Sequence, residues 1–213
     1  MDLHNIRESY KFDSLEENQA KNNPFDQFKL WFEAYQALGV KDYNAMAIAT
    51  VNGEGIPENR IVLLKEMRPE GLVFFTNYNS AKGQSLAKNP HISALFFWRE
   101  QERQVRITGK VEKISREESV NYFNTRPYLS QIGAAASNQS EPISSRSALE
   151  TKFNDFMKEF PEGTEVPTPD QWGGYLIRPE VFEFWQGREG RLHDRLEYIL
   201  SSEDLWETRR IQP

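Results

Sequence analysis

The stretch ISALFFWREQERQVRITGKVEKI, residues 92–114, decides how this chain folds. Two runs rich in Ile, Val and aromatic residues, 92–98 and 103–114, flank the polar turn REQE. Such runs, bounded by polar turn residues, are typical of β-strands. Because only a short turn separates them, we expect the two strands to pair antiparallel.

The same strand pattern continues on both sides of this pair. Further strands are predicted at 45–51, 60–65, 72–77, 174–187, 191–200 and 205–211. Helices are predicted at 24–38, 80–89, 116–125 and 147–160, with N-caps at Asn23, Ser80 and Ser115 and a capping box between Ser115 and Glu118. Loops are predicted at 129–145 and 161–174. Strands interrupted by helices favour an α+β antiparallel barrel with peripheral helices. We expect a mobile arm at 1–23 and a single domain at 24–213.

Composition excludes several classes of protein. The 213 residues include no cysteine, which excludes disulfides, thiolate nucleophiles and Cys-ligated zinc. A net charge of -6 argues against nucleic acid as a partner. The three histidines, His4, His91 and His193, are too scattered for a usual metal site. The polar N-terminus and the lack of a run of about 20 apolar residues predict a cytoplasmic protein with no membrane association.

Several well-known motifs are absent from the sequence. No G-x-G-x-x-G opens a helix, and neither a G-x-x-x-x-G-K-[ST] motif nor a G-x-S-x-G motif is present. These absences argue against a Rossmann dinucleotide site, a P-loop and a hydrolase nucleophile elbow.

Two segments in the first half of the chain can bind anions. In RIVLLK, Arg60 and Lys65 are five residues apart, so in a strand they point to opposite faces and can serve two neighbouring anions. The alternative is a core strand with solvated ends. After Phe75-Thr76, the start of a helix at Ser80 exposes N–H groups that suit a phosphate, and Lys82 adds charge. The alternative there is ordinary capping by Ser80.

Two segments in the second half carry similar chemistry. Tyr122 and Arg126 fall on one helix face and, with Ser130, can bind a phosphate. The alternative is an arginine that complements a helix dipole. Arg191, His193 and Arg195 (in RLHDR) alternate along a predicted strand and share one face. They indicate either a functional site or an exposed polar face.

Together these segments resemble the pyridoxine/pyridoxamine 5'-phosphate oxidase family. The resemblance covers roughly residues 25–200, and its most specific part is WQG-x-x-x-RLHDR. The matching pieces, in the family's order, are RIVLLK (60–65), FTNYNSAK (75–82), RQVRITGKVE (103–112), YFNTRPYLSQIGA (122–134), NQS (138–140) with SR (145–146), WGGY (172–175) and FEFWQGREGRLHDR (182–195).

The resemblance implies an FMN-binding split β-barrel of antiparallel, Greek-key-like strands, and a homodimer with the flavin at the subunit interface. FMN contacts carry over to Arg60, Ile61, Val62, Leu63, Leu64, Lys65, Phe75, Thr76, Lys82, Gln104, Gln139, Ser140, Trp185 and Arg195. Substrate contacts carry over to Arg7, Glu8, Ser9, Tyr10, Lys65, Tyr122, Arg126, Ser130, Arg191 and His193. Of these, Arg191 and His193 are the expected catalytic residues, and Arg7–Tyr10 match a segment that can fold over the substrate.

The activity implied is oxidation of pyridoxine or pyridoxamine 5'-phosphate to pyridoxal 5'-phosphate, with hydride passing from C4' to flavin N5 and O2 becoming H2O2. The amine substrate also yields ammonia. Two positions depart from the family: Ala81 stands where a second basic residue is frequent, and Phe75 replaces a frequent Tyr. Three alternatives stay open. They are a related flavoenzyme acting on another ring such as a phenazine precursor, a non-catalytic flavin or B6-phosphate carrier, and a structural dimerisation module.

Overall fold

One antiparallel sheet organises the computed structural model, which describes residues 2–5 and 9–213. Within these ranges the sheet has nine strands, in the order β2-β1-β5-β6-β7-β4-β3, with β8 bonded to β7 and β9. The strands are β1 (Ala45–Val51), β2 (Pro57–Leu63), β3 (Glu66–Arg68), β4 (Gly71–Asn77), β5 (His91–Trp98), β6 (Arg103–Lys113), β7 (Trp172–Gln186), β8 (Asp194–Leu200) and β9 (Trp206–Arg210). The sheet curls into a half-barrel, which confirms the predicted α+β antiparallel class.

Helices lie at the periphery of the sheet. They are α1 (Pro24–Gln36), α2 (Ala81–Lys88), α3 (Arg116–Thr125), α4 (Tyr128–Ala136) and α5 (Arg146–Glu159). The predicted N-caps are confirmed at Asn23, Ser80 and Ser115, whose side chains accept backbone N–H groups of the first turn. The capping box between Ser115 and Glu118 is present as well. No described helix is long and apolar enough to cross a membrane.

The pairing of β7 gives the sheet its shape. Its first part, from Trp172 to Ile177, pairs with β4, and its last part, from Val181 to Gln186, pairs with β8. Almost the whole strand also pairs with β6, with an irregularity between Thr108 and Gly109. Strand β7 therefore joins the part of the sheet that contains β4 to the part that contains β8.

Aromatic side chains of α1 fill the core on one face of the sheet. Phe28 is fully buried, and its ring lies 5.0 Å from Phe96 and 5.8 Å from Trp98. Trp31 meets Phe184 of β7 edge to face at 5.4 Å. The helical spacing of these side chains places them on one stripe that the sheet covers.

The segment predicted as a loop at 129–145 is partly helical, which is a correction. Helix α4 covers Tyr128–Ala136 and buries Ile132 and Ala136. Gly133 and Ser130 weaken the local helix signal, whereas the three alanines at 134–136 favour a helix. Packing overrides that weakness, because this face contacts a second core cluster that includes Phe123, Val166 and Trp172.

The predicted strand at 191–200 is also shorter than expected. Strand β8 begins at Asp194, and Glu189–Arg191 form a 3-10 turn. Gly190 and Arg191 both adopt positive φ, 65° and 64°. A strand does not accommodate such angles. Arg191, His193 and Arg195 consequently do not share one strand face.

Residues 9–23 lie against the barrel without forming a helix or strand. Leu15 is buried in the main core, and the Asp13 carboxylate pairs with the Arg103 guanidinium at 2.7 Å. The mobility of the arm at 1–23 stays a prediction.

We expect Phe28→Ala to destabilise the fold by about 3–5 kcal/mol, because a fully buried aromatic ring leaves a cavity between α1 and the sheet. Leu30→Ala on the same helix is the control, since Leu30 is 47% exposed and its truncation changes stability by roughly 0.5 kcal/mol or less. Urea unfolding at equilibrium measures both. Equal losses in the two variants would contradict this account of the core.

Candidate active site

A cleft of about 610 Å³ opens between β2, β4, α3 and α4. Strand β2 provides apolar side chains, α3 and the turn after it provide a tyrosine and an arginine, and α4 closes one side. The lining residues are Ile61, Val62, Leu63, Lys65, Phe75, Thr76, Asn77, Lys82, Tyr122, Arg126, Pro127, Ser130, Gly133, Ala134, Ser137, Gln139 and Trp172. The cleft therefore brings together most of the predicted phosphate-binding residues.

Lys82 is a buried cation at the floor of the cleft. Its Nζ donates to Thr76 Oγ1 at 3.1 Å and to Ser80 Oγ at 3.2 Å, both of which are neutral oxygens. Burial, and secondarily the nearby Arg60 guanidinium, lower the pKa of Lys82 to about 8. A desolvated ammonium beside another cation is stabilised when an anion binds next to it.

Arg126 is a second cation with unused hydrogen-bonding capacity. Its Nη1 is buried and has no hydrogen-bond partner. The guanidinium stacks 4.7 Å from the ring centroid of Trp172, and burial lowers its pKa. Because an unsatisfied buried N–H of a charged group is costly, the arrangement suits an incoming anion.

Stacked aromatic rings form one wall of the cleft. The Phe75 ring lies 3.8 Å from that of Tyr122, with an interplanar angle of 20°, and 5.4 Å from that of Trp172. Thr76, the next residue along β4, donates from Oγ1 to Gln139 Oε1 at 3.3 Å. The wall is flat and apolar and carries polar groups at its edge, a composition that suits an aromatic ligand with a charged tail.

A second group of predicted residues lies at the far end of β7. Strand register places Gln104, Trp185 and Arg195 directly side by side on β6, β7 and β8. Arg191 and His193 follow in the connection between β7 and β8. We call these five residues, Gln104, Trp185, Arg191, His193 and Arg195, the sheet-end cluster.

The geometry around His193 defines which of its nitrogens carries a proton. The backbone N–H of Arg188 donates to His193 Nδ1 at 3.1 Å, so the neutral ring holds its proton on Nε2. Burial and the nearby Arg191 lower the pKa of His193, and Asp194 partly opposes them. Its ring also lies 4.6 Å from that of Trp185. The neutral imidazole is therefore favoured, with Nε2–H as a donor.

Arg191 is held in a costly backbone conformation. Its φ of 64° lies in the left-handed region, which non-glycine residues seldom occupy. Such strain concentrates where function demands a particular side-chain position. The exposed side chain of Arg191 is free of the β8 ladder and extends from a turn.

The cleft and the sheet-end cluster are far apart within one chain. Phe75 in the cleft pairs with Gly174, and Trp185 lies eleven residues further along the same strand. At roughly 3.3 Å per residue the path along the strand is at most about 36 Å, and the curl of the sheet and the irregularity opposite Thr108 and Gly109 shorten it. Each region also has an exposed apolar residue, Ile61 at 65% and Leu192 at 74%. Among the described residues, no member of the sheet-end cluster lines the cleft.

The remaining predicted contact residues that the structure describes lie outside both the cleft and the sheet-end cluster. Arg60 donates to Thr50 Oγ1 and to the carbonyl and carboxylate of Glu58, and it does not line the cleft. Leu64 is buried in the core, with its backbone bonded to Asn44. Ser140 is exposed with a φ of 75°. Ser9 is exposed, and Arg7 and Glu8 lie outside the described residues.

Sequence reasoning missed part of the cleft. Trp172 supplies a stacking surface and was not among the predicted contacts, and of the α4 residues that line the cleft only Ser130 was predicted, without its helix. The spacing of Tyr128, Ile132 and Ala136, four residues apart, was the available signal for this helix.

Two family models match the chain. One is described as pyridoxamine 5'-phosphate oxidase and matches residues 32–157. The other is described as the pyridoxine 5'-phosphate oxidase C-terminal dimerisation region and matches residues 172–213. Together they cover both the cleft and the sheet-end cluster.

Two curated relatives carry the same name, pyridoxine/pyridoxamine 5'-phosphate oxidase. The protein of Trichormus variabilis is 50% identical over 208 residues, covering 98% of this chain and 97% of the relative. That of Actinobacillus pleuropneumoniae serotype 5b is 49% identical over 213 residues, covering all of both chains.

Two solved structures share the architecture. PhzG from Burkholderia lata, in complex with tetrahydrophenazine-1-carboxylic acid, is 28% identical and covers 94% of this chain and 98% of its own, with a TM-score of 0.88. A pyridoxamine 5'-phosphate oxidase-related, FMN-binding protein from Nostoc punctiforme covers 91% of this chain and 100% of its own. At 16% identity and a TM-score of 0.73 it supports the fold alone.

These likenesses confirm the predicted split β-barrel and the resemblance noted in the sequence. They extend over the full length of the curated relatives and include the segments that form the cleft. The chain belongs to the pyridoxine/pyridoxamine 5'-phosphate oxidase family.

Proposed function

We propose that this protein uses FMN and O2 to oxidise pyridoxine or pyridoxamine 5'-phosphate to pyridoxal 5'-phosphate, in a site shared by two copies of the chain. The observation that carries the proposal is the pair of cations in one cleft, the buried Lys82 and the partly buried Arg126 with its buried Nη1, with no carboxylate among the described lining residues. Two such cations, in a cleft with a flat aromatic wall, suit phosphate esters of aromatic molecules.

The residues present fit a flavin phosphate at the Lys82 side of the cleft. Among the described residues, Lys82 Nζ donates to two neutral oxygens, and the nearby Arg60 adds positive potential although it pairs with Glu58 at 3.1 Å. The apolar residues of β2, Ile61 to Leu63, line the adjacent surface. Ala81 contributes no charge there. The attraction of the flavin phosphate therefore depends on Lys82 and Arg60, without the second basic residue that is frequent in the family.

The residues also fit a second phosphate at the Arg126 side. The unpartnered Nη1 of Arg126 supplies a donor, and Tyr122, Ser130 and Lys65 line the same cleft. A phosphate anchored here is remote from the reacting carbon. Its binding energy can therefore orient C4' rather than take part in the chemistry.

When bound, FMN would supply the redox chemistry, accepting hydride from C4' at N5 and passing electrons to O2 to give H2O2. The protein's own residues bind and orient. Arg191 would place positive charge near the pyridine ring and the C4' substituent. His193 would offer Nε2–H as a hydrogen-bond donor, since the Arg188 N–H occupies Nδ1.

A homodimer accounts for the separation of the two groups of residues. A two-fold interface presents the same patch from both copies, so the cleft of one chain can face the sheet-end cluster of the other. The exposed Ile61 and Leu192 provide apolar surface for such a contact. The match of residues 172–213 to a dimerisation region supports this arrangement.

The activity is tested with the purified protein and FMN. We expect pyridoxamine 5'-phosphate in air to yield pyridoxal 5'-phosphate, ammonia and peroxide, whereas pyridoxamine without its phosphate reacts far more slowly. Arg126→Ala should raise KM for the phosphorylated substrate roughly tenfold or more, because a charge-assisted hydrogen bond is lost.

Arg146→Ala is the control, because Arg146 is exposed and pairs with Glu150 on α5, outside the cleft. An unchanged KM in Arg126→Ala would remove the substrate phosphate from this side of the cleft. Turnover of a phenazine precursor without turnover of the B6 phosphates would favour the related flavoenzyme over the oxidase.

Arg191→Ala should lower turnover by roughly a hundredfold or more while leaving FMN affinity nearly unchanged, because its charge acts at the reacting end of the substrate. If sites are shared, mixing this variant with Arg126→Ala restores activity when the substrate concentration is kept well below the raised KM of Arg126→Ala. Random exchange makes half of the dimers mixed, each with one intact site, so about a quarter of wild-type activity returns. Native mass spectrometry verifies the exchange. No recovery despite exchange would mean that each chain holds a complete site.

The affinity for FMN should depend on pH through Lys82. With a pKa of about 8, its ammonium is present below pH 8 and is lost above it. Binding a phosphate then requires proton uptake, so we expect Kd to be level from pH 7 to 8 and to rise about tenfold per unit above that. Flavin fluorescence titrations measure Kd. The Kd of Lys82→Arg should not change with pH over this range. A wild-type Kd that does not change with pH would contradict the assignment.

A further inference from the structure

Arg210, at the end of β9, makes an unusual set of contacts with the chain's first residues. Its Nε donates to Glu17 Oε1 at 2.5 Å, and Nη2 donates to Glu17 Oε2 at 2.7 Å and to the Leu15 carbonyl at 2.8 Å. Its Nη1 donates to Asp194 Oδ1 at 2.7 Å. The guanidinium presents donors in a fixed planar fork, so it can satisfy three partners at once.

Asp194 connects this contact to the sheet-end cluster. It is the first residue of β8 and directly follows His193. One carboxylate oxygen accepts from Arg210, while the other accepts from the backbone N–H of Leu15 at 3.0 Å. Both backbone polar groups of Leu15 are thereby bonded, and its side chain is only 4% exposed.

Tyr10, five residues before Leu15, covers the sheet-end cluster. Its ring meets that of His193 at 5.6 Å and that of Trp185 at 5.7 Å, both edge to face. Gly187 lies directly beneath it, since a methyl group there would be 2.7 Å from Tyr10 Cγ. This close packing against Gly187 indicates that the Tyr10 ring has a defined position.

Two further contacts hold the segment between these points. The backbone N–H groups of Lys11 and Phe12 both donate to Glu102 Oε2, at 2.7 and 2.8 Å. Asp13 pairs with Arg103, whose guanidinium also stacks 4.3 Å from the Trp31 ring. Residues 10–17 are thus bonded at intervals to β6, β8 and β9.

From these contacts we infer that Arg210 is a positioning residue, which fastens residues 10–17 to the barrel and so holds Tyr10 over His193. The part of the inference that concerns turnover rests on the proposed function. The part that concerns the covering of His193 does not. Arg210 touches neither ring and acts through Glu17, Leu15 and Asp194.

A looser segment has a predictable effect on substrate binding. If residues 10–17 occupy the covering conformation only part of the time, the apparent affinity for a ligand that needs this conformation is the intrinsic affinity multiplied by the fraction of time it is occupied. An effect on KM with a smaller effect on kcat is the expected signature. A purely structural role for Arg210 in β9 would lower stability and leave this ratio unchanged. Because Arg210 also neutralises Asp194, a raised His193 pKa supports the inference only if Glu17→Gln, which keeps the Arg210–Asp194 pair, raises it too.

The test compares Arg210→Gln with Arg209→Gln in the full-length protein with FMN. Arg209 is the neighbouring arginine on the same strand and pairs with Glu197 instead, so it controls for loss of a β9 ion pair. In Arg210→Gln we expect the Leu15 amide to exchange hydrogen at least about tenfold faster, with KM for pyridoxamine 5'-phosphate raised about threefold or more. Arg209→Gln should change neither.

A readout independent of activity follows His193 itself. Burial is the main cause of the lowered His193 pKa, so releasing Tyr10 should move that pKa upward toward its ordinary value. Proton NMR titration of the His193 ring, assigned with His193→Gln, measures the shift. Glu17→Gln removes one exposed partner only and should shift exchange and pKa in the same direction by less, which keeps the test valid should Arg210→Gln fail to fold.

Each result decides the inference. Unchanged Leu15 exchange, an unmoved His193 pKa, or equal changes in Arg209→Gln would overturn it. Faster exchange and a raised pKa without any change in KM would overturn the positioning role in turnover. If the wild-type protein proved inactive on B6 phosphates while exchange and pKa shifted as expected, the proposed function would fail and the fastening by Arg210 would stand.

Discussion

The continuous pairing of β7 is the constraint on which the rest of the structure depends. This strand bonds to β6 along most of its length, to β4 at its beginning and to β8 at its end. It therefore holds the aromatic wall of the cleft and the sheet-end cluster at a fixed separation. Under the proposed function, a site that needs both groups would draw one from each of two chains, and activity would then depend on dimerisation.

Within the cleft, the important groups are two cations that can still bind anions. Lys82 is buried beside neutral oxygens and Arg126 is partly buried against an aromatic ring, and the described lining of the cleft includes no carboxylate to neutralise them. The folded chain keeps two desolvated cations in place by packing and by hydrogen bonds to Thr76 and Ser80. This preorganisation means that little rearrangement is needed when anions arrive.

Local patterns were sufficient to predict most of the fold. Alternating apolar residues identified the strands, and Ser115 with Glu118 identified the start of α3. Helix α4 was missed because its helical character comes from packing against Trp172 and Phe123, which are distant in sequence from Ile132 or separated from it by a turn. The positive φ of Gly190 and Arg191 likewise depends on tertiary context, so the strand was predicted three residues too early.

The residues of the candidate site were easier to predict than their arrangement. Arg126, Ser130 and Lys65 carry recognisable chemistry in a recognisable order, and they meet in the cleft. The separation of Trp185 from Phe75 could not be read from the motifs, since a motif states which groups act and not which copy provides them. That information comes from strand register.

The register of β7 also limits how such a protein can diverge. Side chains alternate between the two faces of a strand, so one residue inserted between Gly174 and Trp185 would turn Trp185 away from Gln104 and Arg195 or break the ladder. Such an insertion is tolerated only where a bulge absorbs it, as happens at Glu180, where β7 carries one residue more than β6 between Thr108 and Gly109. A change in length is less costly in the connections, where β4 leads into α2 and β7 into β8.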